Sequence, residues 1–151
     1  LDWAVKHANI VNMAKSINEA QDEIIEDFGF FDDWMQRYEQ IIEMGKSLEG
    51  LPEALKTDDN RVVGCQSNVW LDARFEDGVM SYEADSDAVI TKGLVALILK
   101  ILSNQKPEEI VKAELYAIDQ IGLREHLSPN RKNGMDAMIQ TIKERAAKFL
   151  S

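Results

Sequence analysis

The stretch Val69-Trp70-Leu71-Asp72-Ala73-Arg74-Phe75-Glu76, followed by Asp77-Gly78 and then Val79-Met80-Ser81-Tyr82-Glu83-Ala84, decides the fold. Val69, Leu71, Ala73 and Phe75 alternate with Trp70, Asp72, Arg74 and Glu76, the period-two pattern that sends one set of side chains to each face of a strand. Asp-Gly suits a two-residue turn whose central residues both need positive φ. Val79, Met80 and Tyr82 fit the half-buried pleat of a returning strand. The spacing therefore predicts a β-hairpin.

Upstream of it, Ile17, Ala20, Ile24, Ile25 and Phe28 recur at helical spacing, with Ser16 or Asn18 to cap the start and Gly29 to end it. Trp34, Tyr38, Ile41, Ile42 and Gly45 mark a second helix behind Asp32 and Asp33. Gly50, Pro52, Asp58, Asp59 and Asn60 fill a long loop with one short helical turn near Leu51, Ala54 and Leu55. Downstream, Asp85-Ser86-Asp87 stands before the apolar residues 88–102, which predicts an acid-capped central helix buried against the hairpin. Pro107-Glu108-Glu109 opens a short helix, and Ile118, Ile121 and Leu123 carry the apolar pattern on to Leu127. Ser128-Pro129-Asn130 then opens a last helix through Met135, Met138, Ile142, Ala146 and Phe149. Helices, hairpin, helices is the order of an α+β fold with a small antiparallel β-sheet packed with helices.

Seventeen Lys and Arg against 27 Asp and Glu give a net charge of -10, so a phosphate backbone or an acidic lipid surface meets a repulsive field. Nucleic acid and membrane are not expected partners. With 45% hydrophobic and 29% charged residues the chain can form a core and keep a solvated surface. Its longest wholly apolar run, residues 94–99, falls far short of the ~20 residues of a membrane helix. One cysteine excludes an internal disulfide and no secretory signal is readable, so a cytoplasmic location is expected. Met13-Ala14-Lys15-Ser16 reads as a natural start. Residues 1–12 are accordingly expected to be an added or upstream segment, in which Trp3 and Ile10 share a helical face with Ala14, and residues 13–151 a single domain.

Cys65 lies between Gly64 and Gln66-Ser67 where a turn-rich loop meets a strand. A free cysteine is either a small buried hydrophobe or a reactive thiol, and position alone leaves both readings open. Reactivity needs a thiolate stabilised by a cation, a helix N-terminus or backbone N–H groups, and no Lys or His adjoins it in sequence. His7 and His126 are the two histidines. A Cys65–His126 hydrolase lacks a recognisable orienting group, and His126 reads better as a helix-end residue. One Cys with two His cannot make a zinc or iron–sulfur site, so no metal is expected. Asp58-Asp59 and Asp85-Ser86-Asp87 lack the spacing of a calcium loop and read as solvated turns and a helix cap. Gly64 and Gly93 are isolated, so no phosphate-binding loop is present.

Gly64-Cys65-Gln66-Ser67-Asn68-Val69-Trp70 resembles the Gly-Cys-Gln-Ser-x-Val-Trp motif of the SufE family of sulfur-acceptor proteins. The resemblance continues through Asp85-Ser86-Asp87-Ala88-Val89-Ile90-Thr91-Lys92-Gly93-Leu94, His126-Leu127-Ser128-Pro129-Asn130-Arg131 and Gly134-Met135-Asp136-Ala137-Met138-Ile139. It runs from the Ile17 helix to the C-terminus.

The resemblance implies a fold shared with IscU-like scaffolds and a Cys loop projecting from the domain edge. It implies that Cys65 takes sulfur from the persulfide of a cysteine desulfurase (SufS- or CsdA-like), stimulates that enzyme and passes the sulfur to an iron–sulfur scaffold complex (SufBCD-like). The chain would then be a sulfur carrier and activator rather than an independent enzyme, with no cofactor of its own. One thiol suffices for that transfer, and a second would favour loss of the sulfur. Gly64 offers hinge freedom, while Val62, Val63, Val69 and Trp70 are expected to wall the sulfur. Asp87 and Arg131 match polar family positions near the loop and partner surface. Gln66, as a loop hydrogen-bonder, and Trp70, as a core anchor, are expected to shape the Cys65 environment. The competing readings are a stand-alone Cys-dependent enzyme, a thiol peroxidase or hydrolase that turns over unaided, and an interaction domain with an inert thiol.

Overall fold

The computed structural model describes residues 15–150. The expectations for residues 1–12, with Trp3, His7, Ile10 and Ala14, lie outside the described residues. In chain order come α1 (Ile17–Phe28), α2 (Trp34–Lys46), a 3-10 turn (Glu53–Leu55), β1 (Val69–Glu76), β2 (Val79–Ser86), α3 (Val89–Leu102), α4 (Pro107–Lys112), α5 (Tyr116–Gln120), α6 (Leu123–His126) and α7 (Pro129–Ala147). The class is α+β.

β1 and β2 pair antiparallel from Val69 opposite Ser86 to Glu76 opposite Val79, and the turn has φ of 53° at Asp77 and 84° at Gly78. Val69, Leu71, Met80, Tyr82 and Ala84 point into the core. The alternation weakens toward the turn, where the sheet outruns the helices: Phe75 is 40% exposed and stacks on Phe149 with centroids 4.9 Å apart. β2 extends through Asp85 and Ser86 because they still find partners in Trp70 and Val69. The expected acidic cap of α3 is therefore not formed. Ala88 holds the N-cap position, with no side-chain cap.

α1, α2 and α7 start as the sequence predicts, with the side chains of Ser16, Asp33 and Ser128 accepting from Glu19, Gln36 and Arg131 N–H groups, whereas the apolar pattern leading to Leu127 is divided into α5 and α6, with Gly122 at φ 77° between them. α3 is the central element and packs against α2, β2, α1 and α7. It crosses α2 at backbone distance: a Cβ on Gly45 would lie 2.7 Å from the Gly93 nitrogen, and one on Gly93 would collide with the Ile41 carbonyl. Gln21, fully buried, fastens α1 to the chain around α5 by donating to Glu114 O at 3.0 Å and accepting from Ala117 N at 3.1 Å. α7 is tied to the hairpin by Tyr82 Oη, which donates to Ile142 O at 2.9 Å, and by Arg145, which donates to Leu71 O. Among the described residues no helix is long and apolar enough to cross a membrane.

Candidate functional site

Cys65 sits on a loop closed at its base, because Val62 N donates to Val69 O at 2.8 Å and Leu71 N donates to Asn60 O at 2.7 Å. Val62 and Val69 are buried there and anchor residues 63–68 to the hairpin. Gly64 then takes φ +105°, a conformation L side chains rarely adopt, and a Cβ on it would lie 3.0 Å from Ala137 Cβ on α7. This turn aims Cys65 at α7 while Gly64 and Gln66 stay exposed. The loop is at the surface, but the thiol faces inward.

Cys65 is half-buried, and its Sγ donates to Gly134 O at 3.4 Å. Gly134 lies in the interior of α7, where a Cβ would stand 3.5 Å from that sulfur. Burial pushes the thiol pKa up, so the side chain is held as S–H against a carbonyl. The far leg of the loop is strapped by Asp87, whose carboxylate accepts from Asn68 N at 3.1 Å and from Asn68 Nδ2 at 2.9 Å. Asp87 thus braces the Cys loop instead of capping α3.

A cleft of about 260 Å³ opens beside the sulfur. Its apolar wall is Ile90, Leu94 and Met138, and its polar lining includes Gln66, Ser67, Thr91, Ser128, Asn130 and Arg131. Of the expected site residues, Cys65, Gln66 and Arg131 line this cleft, while Gly64 and Asp87 hold the loop that carries Cys65. Arg131 is exposed at its rim, where the Arg131 N–H donates to Ser128 Oγ at 3.3 Å.

The expected wall of Val62, Val63, Val69 and Trp70 is not among the cleft residues. Val63 is 86% exposed, and Val62 and Val69 belong to the core. Trp70 is half-buried, with Lys56 Nζ 5.4 Å from its ring centroid, since strand alternation turns it away from the Val69 and Leu71 face. Beside it Asp85 joins the long loop to α3, accepting from Leu51 N at 3.2 Å and meeting Lys56 and Lys92 each at 3.4 Å. Burial alone would raise its pKa, but the Leu51 and Ser86 N–H groups with Lys92 and Lys56 outweigh that and hold it below the ordinary value.

Gly134, Thr91, Ile90, Leu94 and Met138 carried no site role in the sequence. The available signals were that all five lie in stretches that carry the SufE resemblance, and that a glycine in the middle of an otherwise continuous helix costs helix stability unless something packs against it. His126 stacks on Trp34 at 4.2 Å and lies 2.8 Å through Nδ1 from Gly122 O, away from the cleft. A Cys65–His126 pair is not formed. Among the described residues no group of three or more His, Cys, Asp or Glu is placed to hold a metal.

A lone loop thiol turned into a small cleft, on a helix-packed hairpin, defines a thiol-presenting α+β domain. The family model for the SufE Fe-S metabolism associated domain matches residues 22–146, and the chain belongs to the SufE family. It is 46% identical over 132 residues to an uncharacterized SufE-like protein of Rhizobium meliloti, covering 83% of this chain and 93% of that one. An uncharacterized SufE-like protein of Synechocystis is 40% identical over 126 residues, covering 83% of this chain and 79% of the relative. The solution structure of a hypothetical protein from Thermus thermophilus has a similar fold, with a TM-score of 0.71 at 20% identity over 85% of this chain and 94% of that one. Membership implies a part in Fe-S metabolism.

Proposed function

We propose that this protein is a sulfur carrier of residues 13–151, acting in the cytoplasm, that receives sulfur on Cys65 from a cysteine desulfurase, stimulates that enzyme and delivers the sulfur to an iron–sulfur scaffold complex. Once the loop has left α7, the Cys65 thiol gives up its proton and attacks the outer sulfur of the desulfurase's cysteine persulfide; the partner's S–S bond breaks, its cysteine leaves as thiolate and takes up a proton, and Cys65–S–SH remains. No net oxidation or reduction is needed. The observation that carries this reading is Cys65 Sγ seated 3.4 Å from Gly134 O at a cleft with room for another sulfur and with no histidine in its lining. A hydrolase or peroxidase would use a general base close to its thiol, and the lining of this cleft includes no His, Lys, Asp or Glu to act as one.

Stimulation requires the loop to leave α7 and enter the partner. Gly64, Gln66, Asp87 and Arg131 serve that step, the first as the positive-φ turn and Asp87 as the strap on Asn68. Val63 on the Cys65 loop and Val89 at the start of α3, 86% and 65% exposed, offer apolar contact to the desulfurase.

The test is intact mass after incubation with a SufS- or CsdA-like desulfurase and cysteine. One reducible sulfur mapped to Cys65 is expected, and Cys65→Ser should fold normally, take no sulfur and give no stimulation. Full stimulation by a folded Cys65→Ser protein would overturn the carrier step.

A further inference from the structure

We propose that the N-terminus of α3, with the Thr91 hydroxyl, receives the outer sulfur of loaded Cys65 and holds it as an anion. The inference rests on the carrier reading and identifies what the cleft binds.

Thr91 is 8% exposed and lines the cleft beside Cys65. Its hydroxyl has no hydrogen-bond partner among the described residues, although a helical threonine commonly donates to the carbonyl four residues back, here Asp87. A buried hydroxyl without a partner is unfavourable unless something else fills the role. Independently, α3 begins at Ala88 with no side-chain cap, and Ala88, Ile90 and Thr91 all line the same cleft. A 14-residue helix presents the positive end of its dipole and its free first-turn N–H groups there.

In the unloaded protein Sγ meets the Gly134 carbonyl, an acceptor. Loading removes the S–H proton from Sγ and adds a sulfur about 2 Å further out, the length of an S–S bond. A persulfide is a stronger acid than a thiol, so the outer sulfur carries negative charge. The Gly134 oxygen repels that charge and α3 offers donors to it. Leu94, one turn along α3, supplies the apolar side that keeps water off the sulfur. Arg131 on α7 is the charged side chain in the cleft lining; Asp87 is engaged by Asn68, and Lys92 pairs with Asp85.

The test loads Cys65 without any desulfurase. Cys65 is converted to a mixed disulfide with an aromatic thiol, and hydrosulfide then attacks Sγ and expels the aromatic thiolate to leave Cys65–S–SH, verified by intact mass. Alkylation of the outer sulfur is followed against pH for wild type, Thr91→Val and Thr91→Ser. Thr91→Val should raise the apparent pKa of the loaded form by about one pH unit, the size of one hydrogen bond to an anion, and shorten its lifetime. The unloaded thiol should titrate as before, and Thr91→Ser should restore the wild-type profile. Thr91→Ala carries the same expectation if valine disturbs the packing. An unchanged loaded profile, or equal shifts in loaded and unloaded protein, would overturn the proposal. Because hydrosulfide does the loading, that result leaves the carrier reading standing, and failure of desulfurase-dependent loading leaves this one standing.

Discussion

Gly134 sets how closely the Cys65 loop approaches α7. A Cβ there would stand 3.5 Å from Sγ and 3.8 Å from Cys65 Cα, ordinary contact distances, so alanine fits and a branched side chain does not. Gly134→Ala should therefore leave the loop docked and stabilise the protein by about 0.5–1 kcal/mol, the helix propensity that glycine forgoes. Gly134→Leu should push the loop off the helix and speed alkylation of Cys65 several-fold. Denaturant unfolding and labelling of the native thiol measure both effects, and equal labelling of the two variants would remove Gly134 as the loop's seat. In the sequence the residue stands in a stretch that carries the SufE resemblance and in the middle of a helix, and neither fact assigns it a partner. Its partner lies 69 positions away, a separation that periodicity does not bridge. Cys65 itself was legible through the resemblance of Gly64-Cys65-Gln66-Ser67-Asn68-Val69-Trp70 to the SufE motif, position alone leaving its role open, while its inward orientation depends on the +105° φ of Gly64 and the presence of α7.

At the level of elements, the strand-to-helix junction after β2 departs most from the sequence pattern. Three consecutive polar residues before an apolar run look like a helix cap, yet Asp85 and Ser86 are used by the sheet and Asp87 by the Cys loop. Local pattern could not separate these uses, because each depends on a partner from another segment: Leu51 and Lys56 for Asp85, Asn68 for Asp87. The hairpin, the Ser16 and Ser128 caps and the α7 start were legible since their signals lie within a few residues of one another. Asp85 also makes a pH-dependent brace. Its pKa is held below the ordinary Asp value near 3.9, so its contribution is full above that value and is lost as pH falls through the lower folded one. Asp85→Asn should cost about 1–2 kcal/mol at pH 7, since its side chain is only 14% exposed and several donors lose their charged acceptor. The gap between variant and wild type should close in acid. Urea titrations at neutral pH and at successively lower acid pH decide it, and a gap that stays constant throughout would mean the carboxylate's charge is not what braces the junction.

Across the whole molecule α3 is shared by the core and the site. One side of it meets α2 through Gly93, and another lines the cleft with Ile90, Thr91 and Leu94. Its apolar content made it recognisable as the central helix. Which residues would face Cys65 was not recognisable, because a helix buried nearly all round shows no polar face to orient it. The same sharing makes the site sensitive to packing on the far side of the helix. A methyl group on Gly93 has no room against the Ile41 carbonyl, and a nearby Gly45 already brings the two backbones together. Gly93→Ala must therefore separate α2 from α3, and overpacking of this kind costs about 1–3 kcal/mol, or about 3–10 °C in Tm for a chain this long. Displaced from α2, α3 shifts toward the hairpin and α7, which together carry the Cys65 loop and its seat. Gly93→Ala should thus combine a lower Tm with faster Cys65 alkylation, although Gly93 is not one of the cleft residues. Thermal unfolding and thiol labelling on the same sample read both. An unchanged Tm would refute the close crossing, and a lower Tm with wild-type labelling would show that the loop is seated by α7 alone, independently of where α3 lies.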